Sequence, residues 1–384
     1  MKNKDMEKGN EMKTVVPALR FPEFQNTKGW KEYKLKSLCE IGNGKDYKHL
    51  GSGSIPVYGS GGYMTSVDDF LYDGESVCIG RKGTIDKPIF LTGKFWTVDT
   101  LFYTHSFHNC LPKFLYLIFQ QINWYKYNEA GGVPSLSKTT IGEINVFVPV
   151  EKKGDLKEQQ KIANCLSSLD DLIEATAQKV EKLKEHKKGL MQRLFPAEGK
   201  NVPDLRFPEF KGAEEWKGYK LKSLCEIGNG KDYKHLGSGN IPLYGSGGYM
   251  TSVDDFLYDG ESVCIGRKGT IDKPIFLTGK FWTVDTLFYT HSFHNCLPKF
   301  LYLIFQQINW YKYNEAGGVP SLSKTTIGEI NVFVPVGKKG ELKEQQKITD
   351  CLFSLDELIE ATSRKVEILK EHKKGLMQQL FPKI

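Results

Sequence analysis

A shift of 186 residues lays this chain on itself. Tyr33–Val150 and Tyr219–Val336 differ at two of 118 positions, Ser54 against Asn240 and Val57 against Leu243. Pro17–Phe24 matches Pro203–Phe210 more loosely. Two copies are too few for a solenoid, whose stability comes from stacking many short repeats. Each unit of about 180 residues is large enough to be a domain with an appendage. The 384 residues also exceed what one hydrophobic core usually serves. Whatever folds here must therefore fold twice.

Each repeat changes character partway along. From Tyr33 to Val150, short β-rich runs (Ser76–Ile79, Pro88–Leu91, Leu101–Thr104, Ile144–Val148) are broken by glycines such as those of Gly59–Gly62. One helix is expected from Pro112 to about Tyr125, with proline at its first position. From Asp155 to Phe195 the pattern is different. Ile162, Leu166, Leu169, Ile173, Thr176, Val180, Leu183, Lys187, Leu190 and Leu194 step by four and three without a break. That is a heptad seam sustained over four turns of the repeat, closed by Pro196. The second copy carries it from Ile348 to Leu380, with Thr362 and Lys373 at the same polar positions.

A narrow apolar stripe needs a partner, and the only other one in the sequence is its own copy. Pro196–Asp204 is short, so the second globule is expected at the far end of the first helix, with the second helix running back antiparallel. About 40 residues at roughly 1.5 Å each give a spacer on the order of 60 Å. The expected class is α+β: target-binding globules at 14–154 and 196–340, spacer helices at 155–195 and 341–384, and a pseudo-two-fold axis. Lys187 and Lys373 are expected to mark where the helix pair ends or pauses, with register control at a buried position as the alternative.

Composition narrows the function. Hydrophobic residues make up 40% and aromatics 12%, too rich for disorder, and no apolar run of about 18 residues suggests a membrane span. Met1–Lys13 is polar without the apolar stretch of a secretory signal, so it reads as a ragged terminus of a cytoplasmic protein. The eight cysteines recur as the same four in each half, none in a C-x-x-C pair, and are expected as free buried thiols. The +7 net charge, 53 basic against 46 acidic residues, suits a nucleic-acid partner without requiring one. No Asn/Asp-Pro-Pro-aromatic methyltransferase motif, P-loop or nuclease carboxylate cluster is present. His105, His108 and Cys110 lack the second pair a zinc site needs. No catalytic or metal residue is therefore assigned.

Reading DNA requires base-edge donors on rigid loops and cations for phosphates. Lys45, Tyr47 and Lys48 follow Gly42-Asn-Gly44 on an expected loop, and Arg81 and Lys82 sit in a turn between Gly80 and Gly83. Ser60, Gly61 and Tyr63 lie where glycine lets backbone approach a groove. Ser135 and Lys138 follow Gly131-Gly132 and precede the long helix. The duplicates are Lys231, Tyr233, Lys234, Ser246, Gly247, Tyr249, Arg267, Lys268, Ser321 and Lys324. A solvated turn, a charged hairpin or a helix cap explains each group equally simply. Trp96, Phe102, Tyr103 and Trp124 lie in apolar runs and are expected in the core.

The succession Gly131–Lys138, Ile144–Pro149 and Lys157–Ile162, then Asp170–Leu194 ending in Gly-Leu-Met-Gln-Arg-Leu, resembles the specificity subunit of Type I restriction–modification enzymes. Tyr58–Gly62 and Asp73–Gly83 are similar to that family's β-core. The likeness covers nearly the whole chain, twice. It implies a non-catalytic subunit that binds bipartite double-stranded DNA and recruits two adenine-N6 methyltransferase subunits, with motor-nuclease subunits joining. S-adenosylmethionine and ATP/Mg would belong to those partners and no cofactor to this chain. Members often carry two different recognition domains. Here the domains are nearly the same, which implies identical inverted half-sites. A coiled-coil adaptor for other proteins is the alternative.

Overall fold

The computed structural model describes residues 14–149, 156–337 and 342–383. The first repeat forms β1 (Thr14–Val15), β2 (Trp30–Lys34), β3 (Glu40–Asn43), β4 (Ser52–Gly59), β5 (Gly62–Val67), β6 (Tyr72–Asp73), β7 (Ser76–Gly80), β8 (Ile89–Leu91), β9 (Lys94–Thr97) and β10 (Leu101–His105). Then come α1 (Pro112–Phe119), α2 (Lys138–Gly142), β11 (Asn145–Val148) and the long α3 (Lys157–Leu194). The second repeat gives β12 (Lys217–Lys220), α4 (Leu221–Leu224), β13 (Glu226–Asn229), β14 (Ser238–Gly245), β15 (Gly248–Val253), β16 (Tyr258–Asp259), β17 (Ser262–Gly266), β18 (Ile275–Leu277), β19 (Lys280–Thr283) and β20 (Leu287–His291). It closes with α5 (Pro298–Phe305), α6 (Lys324–Glu329), β21 (Asn331–Val334) and α7 (Lys343–Leu380).

Within the first globule the sheets run β1-β2-β11, β3-β10-β7-β8 and β5-β4-β9-β6. β7 shows why its sequence is continuously apolar. Val77 and Ile79 face the large core beneath α1, while Cys78 faces a smaller cluster with Phe95 and Leu101. A strand buried on both faces cannot alternate with polar residues. β4 and β5 form a hairpin paired Tyr58↔Tyr63 and Gly59↔Gly62, and β4 runs parallel to β9 through Val57↔Trp96. The second globule repeats these pairings between β14, β15 and β19.

The helix expected to reach Tyr125 stops at Phe119. Asn123 leaves helical backbone at φ −77°, ψ 86°, and the Trp124 indole N–H donates to the Phe119 carbonyl at 2.9 Å. That side chain satisfies a last-turn carbonyl that a longer helix would have used. The aromatics fall where expected: Trp96, Phe102 and Trp124 are buried, and the half-buried Tyr103 ring covers Gly42.

The described chain divides into two compact units. One holds the residues up to Ala177 with those from Arg364 onward; the other is Gln178–Ser363. In the first unit Ile162, Ala163 and Leu166 from the start of α3 share a core with Leu380 and Phe381 from the end of α7. Phe381 stacks on Phe114 at 5.2 Å and meets the edge of Trp30 at 5.6 Å. Opposite ends of two helices entering one core run antiparallel. In the second unit Leu194 and Phe195, ending α3, join Ile348 and Leu352 from the start of α7, and Phe195 stacks on Phe300 at 5.2 Å.

The heptad positions are all buried or half-buried. Seam threonines Thr176 and Thr362 bond back to the carbonyls of Leu172 and Leu358 at 2.6 and 2.7 Å, so their hydroxyls are satisfied within their own helices. Lys187 and Lys373 depart from expectation. Neither marks an end. In the second unit Lys187 Nζ pairs with Asp356 of α7 at 2.6 Å, and in the first Lys373 pairs with Asp170 of α3 at 2.6 Å. A charged pair at a seam fixes register, because any slip strands a half-buried ammonium.

All eight cysteines are free, and six are buried. Burial pushes the thiols of Cys39, Cys78, Cys225 and Cys264 up to about 12, which keeps them as unreactive core residues.

Candidate nucleic-acid interface

The cleft of the first globule is shaped by one turn. β7 ends at Gly80, where a Cβ would lie 1.9 Å from the Thr84 carbonyl oxygen, so only glycine lets the chain fold back so closely. Gly83 completes the turn at φ +93°. The backbone is fastened on both sides. Arg81 N–H donates to Thr100 O at 2.8 Å, Leu136 N–H to Arg81 O at 2.9 Å, and Gly83 N–H to Pro134 O at 2.9 Å, while Lys82 bridges Ser135. With the main chain so occupied, the Arg81 and Lys82 side chains stand exposed. Among the described residues Arg81 Nη1 reaches only the Asp99 carbonyl, at 3.4 Å.

The facing wall is the segment Glu129–Lys138. Ser137 caps α2, its Oγ accepting from Thr140 N–H at 3.1 Å, and Lys138 opens that helix exposed. Asn43, from the end of β3, and Thr100 complete a cleft of about 840 Å³. Its counterpart, about 730 Å³, is lined by Asn229, Arg267, Lys268, Ser321 and Lys324. Among the described residues, none of Arg81, Lys82 or Lys138 forms an ion pair, so three cations face the opening. Two carboxylates, Asp99 and Glu129, share the walls. The Thr140 and Ser137 hydroxyls hold Glu129 below the usual carboxylate range.

The structure thus brings together Arg81, Lys82, Ser135 and Lys138, separated by 57 positions in sequence from first to last. Ser60 and Gly61 form the tip of the β4–β5 hairpin beside this cleft, and a Cβ on Gly83 would meet Ser60 Oγ at 3.2 Å. Tyr63 lies just past the tip, exposed, its hydroxyl 3.1 Å from Ser66 Oγ. Lys45 and Lys48 are exposed on the loop leaving Asn43. That loop is pinned by Lys45 N–H to Thr97 O and Trp96 Nε1–H to Lys45 O, both 2.8 Å.

Tyr47 is a different case. It is half-buried against Val57, Trp96 and Val98, a packing role that Tyr233 repeats. Lys231, Lys234, Ser246, Gly247 and Tyr249 repeat the other placements in the second globule. Sequence reasoning missed Asn43, Asp99, Thr100 and Glu129. The polar pair Asp99-Thr100 interrupting an apolar run was the available signal for a turn at the cleft.

Among the described residues no group of three or more His, Cys, Asp or Glu is placed to hold a metal ion, and no helix is long and apolar enough to cross a membrane.

Two globules of one design, each with a cationic cleft and each completed by the ends of two long helices, define the class. The sequence profile of the Type I restriction modification DNA specificity domain matches residues 27–185 and again 213–371. The chain belongs to that family and carries its domain twice. It is 24% identical over 364 residues to the Type I restriction enzyme MjaVIII specificity subunit of Methanocaldococcus jannaschii, covering 81% of this chain and 77% of that one. It is 20% identical to the putative specificity subunit S.HindORF215P of Haemophilus influenzae, over 80% of this chain and 81% of that one. In fold it is similar to the crystallised S subunit of a Type I restriction–modification system from M. genitalium. That match has a TM-score of 0.70 at 16% identity, covering 96% of this chain and 100% of that one.

Proposed function

We propose that this chain is the non-catalytic, sequence-reading subunit of a Type I restriction–modification complex in the cytoplasm. The carrying observation is the duplicated cleft in which Arg81, Lys82 and Lys138, and again Arg267, Lys268 and Lys324, face solvent without ion-pair partners among the described residues. Arginine suits bidentate contact with guanine O6 and N7, and lysines suit phosphates. The hairpin tips at Ser60-Gly61 and Ser246-Gly247 permit close backbone approach to a groove. Because the two clefts are built from nearly identical sequence, the two half-sites are the same. With a pseudo-two-fold arrangement they are inverted, and the spacer helices set the gap between them.

On this reading the exposed faces of α3 and α7 recruit two adenine-N6 methyltransferase subunits, and motor-nuclease subunits join them. S-adenosylmethionine and ATP/Mg act in those partners. The test is equilibrium binding of the chain with its methyltransferase partner to duplex DNA across a salt series. Tight binding to one gapped sequence, with log K falling linearly against log salt, supports the reading. Salt-insensitive or absent binding sinks it and favours a coiled-coil adaptor for proteins.

A further inference from the structure

A carboxylate in a cleft meant for phosphates is a liability unless it has a job. Glu129 is such a group. Its Oε1 accepts two hydroxyls, Ser137 Oγ–H at 2.7 Å and Thr140 Oγ1–H, and the Ser137 backbone N–H also acts on the carboxylate, while no side chain among the described residues bonds Oε2. Neither Arg81, Lys82 nor Lys138 neutralises it, although all line the same cleft. Glu315 repeats the arrangement, with Ser323 at 2.7 Å and Thr326 on Oε1. Asp99 also lines the cleft, but among the described residues its carboxylate has no side-chain partner to hold it. Glu129 is therefore the one anion of the cleft that is both held in place and left with an open acceptor.

An ionised carboxylate only accepts hydrogen bonds. The major groove offers two donors, cytosine N4 and adenine N6. Adenine N6 sits beside the N7 acceptor, whose lone pair would face the carboxylate. Cytosine N4 is flanked by a C–H instead. Guanine and thymine would set O6 or O4 against the charge. We propose that Glu129 and Glu315 are specificity-determining residues, each accepting a hydrogen bond through Oε2 from the N4 amino group of one cytosine per half-site. This rests on the DNA-reading function proposed above. The paired guanine of that cytosine presents O6 and N7, the acceptors suited to the Arg81 guanidinium on the opposite wall.

The experiment uses the full chain with its methyltransferase partner and duplexes randomised through each half-site, comparing wild type with the double variant Glu129→Gln, Glu315→Gln. Glutamine keeps Oε1 for Ser137 and Thr140 and replaces Oε2 with a donor. Wild type is expected to require cytosine at one position per half-site, with about 5- to 150-fold discrimination. In the variant that preference falls at least fivefold at that position alone, with guanine or thymine gaining. A second double variant, Thr140→Val with Thr326→Val, keeps the charge but loosens its hold, and weakens the same preference. An unchanged ranking of bases overturns the proposal. So does a uniform gain at every position, which would mean only that a repelling charge had been removed. If the wild-type complex shows no sequence preference at all, the DNA-reading function itself fails.

Discussion

Removing Glu158 tests how the spacer helix is anchored to its globule. Glu158 lies in the first turn of α3, and both it and Arg20 have side chains 5% exposed. Arg20 Nε and Nη2 donate to the two carboxylate oxygens at 2.6 Å each, and the Trp30 indole N–H donates to Oε1 at 3.2 Å. The remaining guanidinium donors reach Thr27 O and Lys28 O at 3.0 Å. Glu158→Ala leaves a guanidinium buried with only those two carbonyls and orphans the indole. Deleting one partner of a buried pair costs about 3–5 kcal/mol, mostly as the penalty of the stranded charge. At roughly 2–4 °C per kcal/mol for a unit of this size, the first unit's melting transition should fall by about 6–20 °C. The second unit keeps its own Arg206–Glu344 pair at 2.7 Å and should melt as in wild type. Replacing both partners, Arg20→Met with Glu158→Leu, should recover most of the loss. The assay is calorimetry on the three proteins. A drop below about 1 kcal/mol for Glu158→Ala would refute the reasoning. Equal losses in the single and double variants would show that helix packing, not the ion pair, anchors α3.

Other consequences follow from the same geometry. Arg81→Ala with Arg267→Ala should weaken specific binding by about 1–3 kcal/mol per half-site and relax one guanine position. Lys82→Ala with Lys268→Ala should instead weaken all sequences alike and lower the salt slope by about 0.9 for each phosphate no longer neutralised; filter binding at several salt concentrations separates the two. Gly80→Ala with Gly266→Ala should abolish specific binding, because the Cβ displaces the Arg81 turn from Thr84, and circular dichroism should still report a folded chain. Lys34 and Lys36 hold the Glu143 carboxyl down to about 2. A depressed carboxylate contributes stability that is full above its unfolded value and is lost as pH falls through the folded one. Wild type should therefore lose more stability than Glu143→Gln between roughly pH 5 and pH 2, by a small amount since the group is exposed.

The long-range plan was legible because it is written in periodicities. The 186-residue offset dictated two like globules, and the unbroken heptad from Ile162 to Leu194 dictated a helix with a partner. For the seam lysines the register-setting alternative ranked second, because sequence shows a charge at an apolar position but not the aspartate that meets it from another helix. The end of α1 was misplaced because the Trp124 indole, acting five residues back, is invisible to local propensity. Of the candidate site, Arg81 and Lys82 are singled out in sequence by their flanking glycines, and Ser135 and Lys138 by the nearby Gly131-Gly132. That all four share a cleft depends on the Lys82–Ser135 bridge, a pairing across 53 residues that no pattern encodes. Tyr47 looked like a loop aromatic but packs on Trp96. Ser54 and Asn240 lie at a bulge near the start of β4 and β14, six residues from Ser60 and Ser246 at the hairpin tips. Within the 118-residue matched segment this is the one exposed difference, and neither Ser54 nor Asn240 lines a cleft.

The most direct test of the central claim is genome-wide mapping of N6-methyladenine in cells with and without this gene, its methyltransferase partner being expressed. Loss of a single gapped motif with identical inverted halves is the predicted result. An asymmetric lost motif would contradict the two equivalent clefts, and an unchanged methylome with an active partner would contradict the claim that this chain reads DNA.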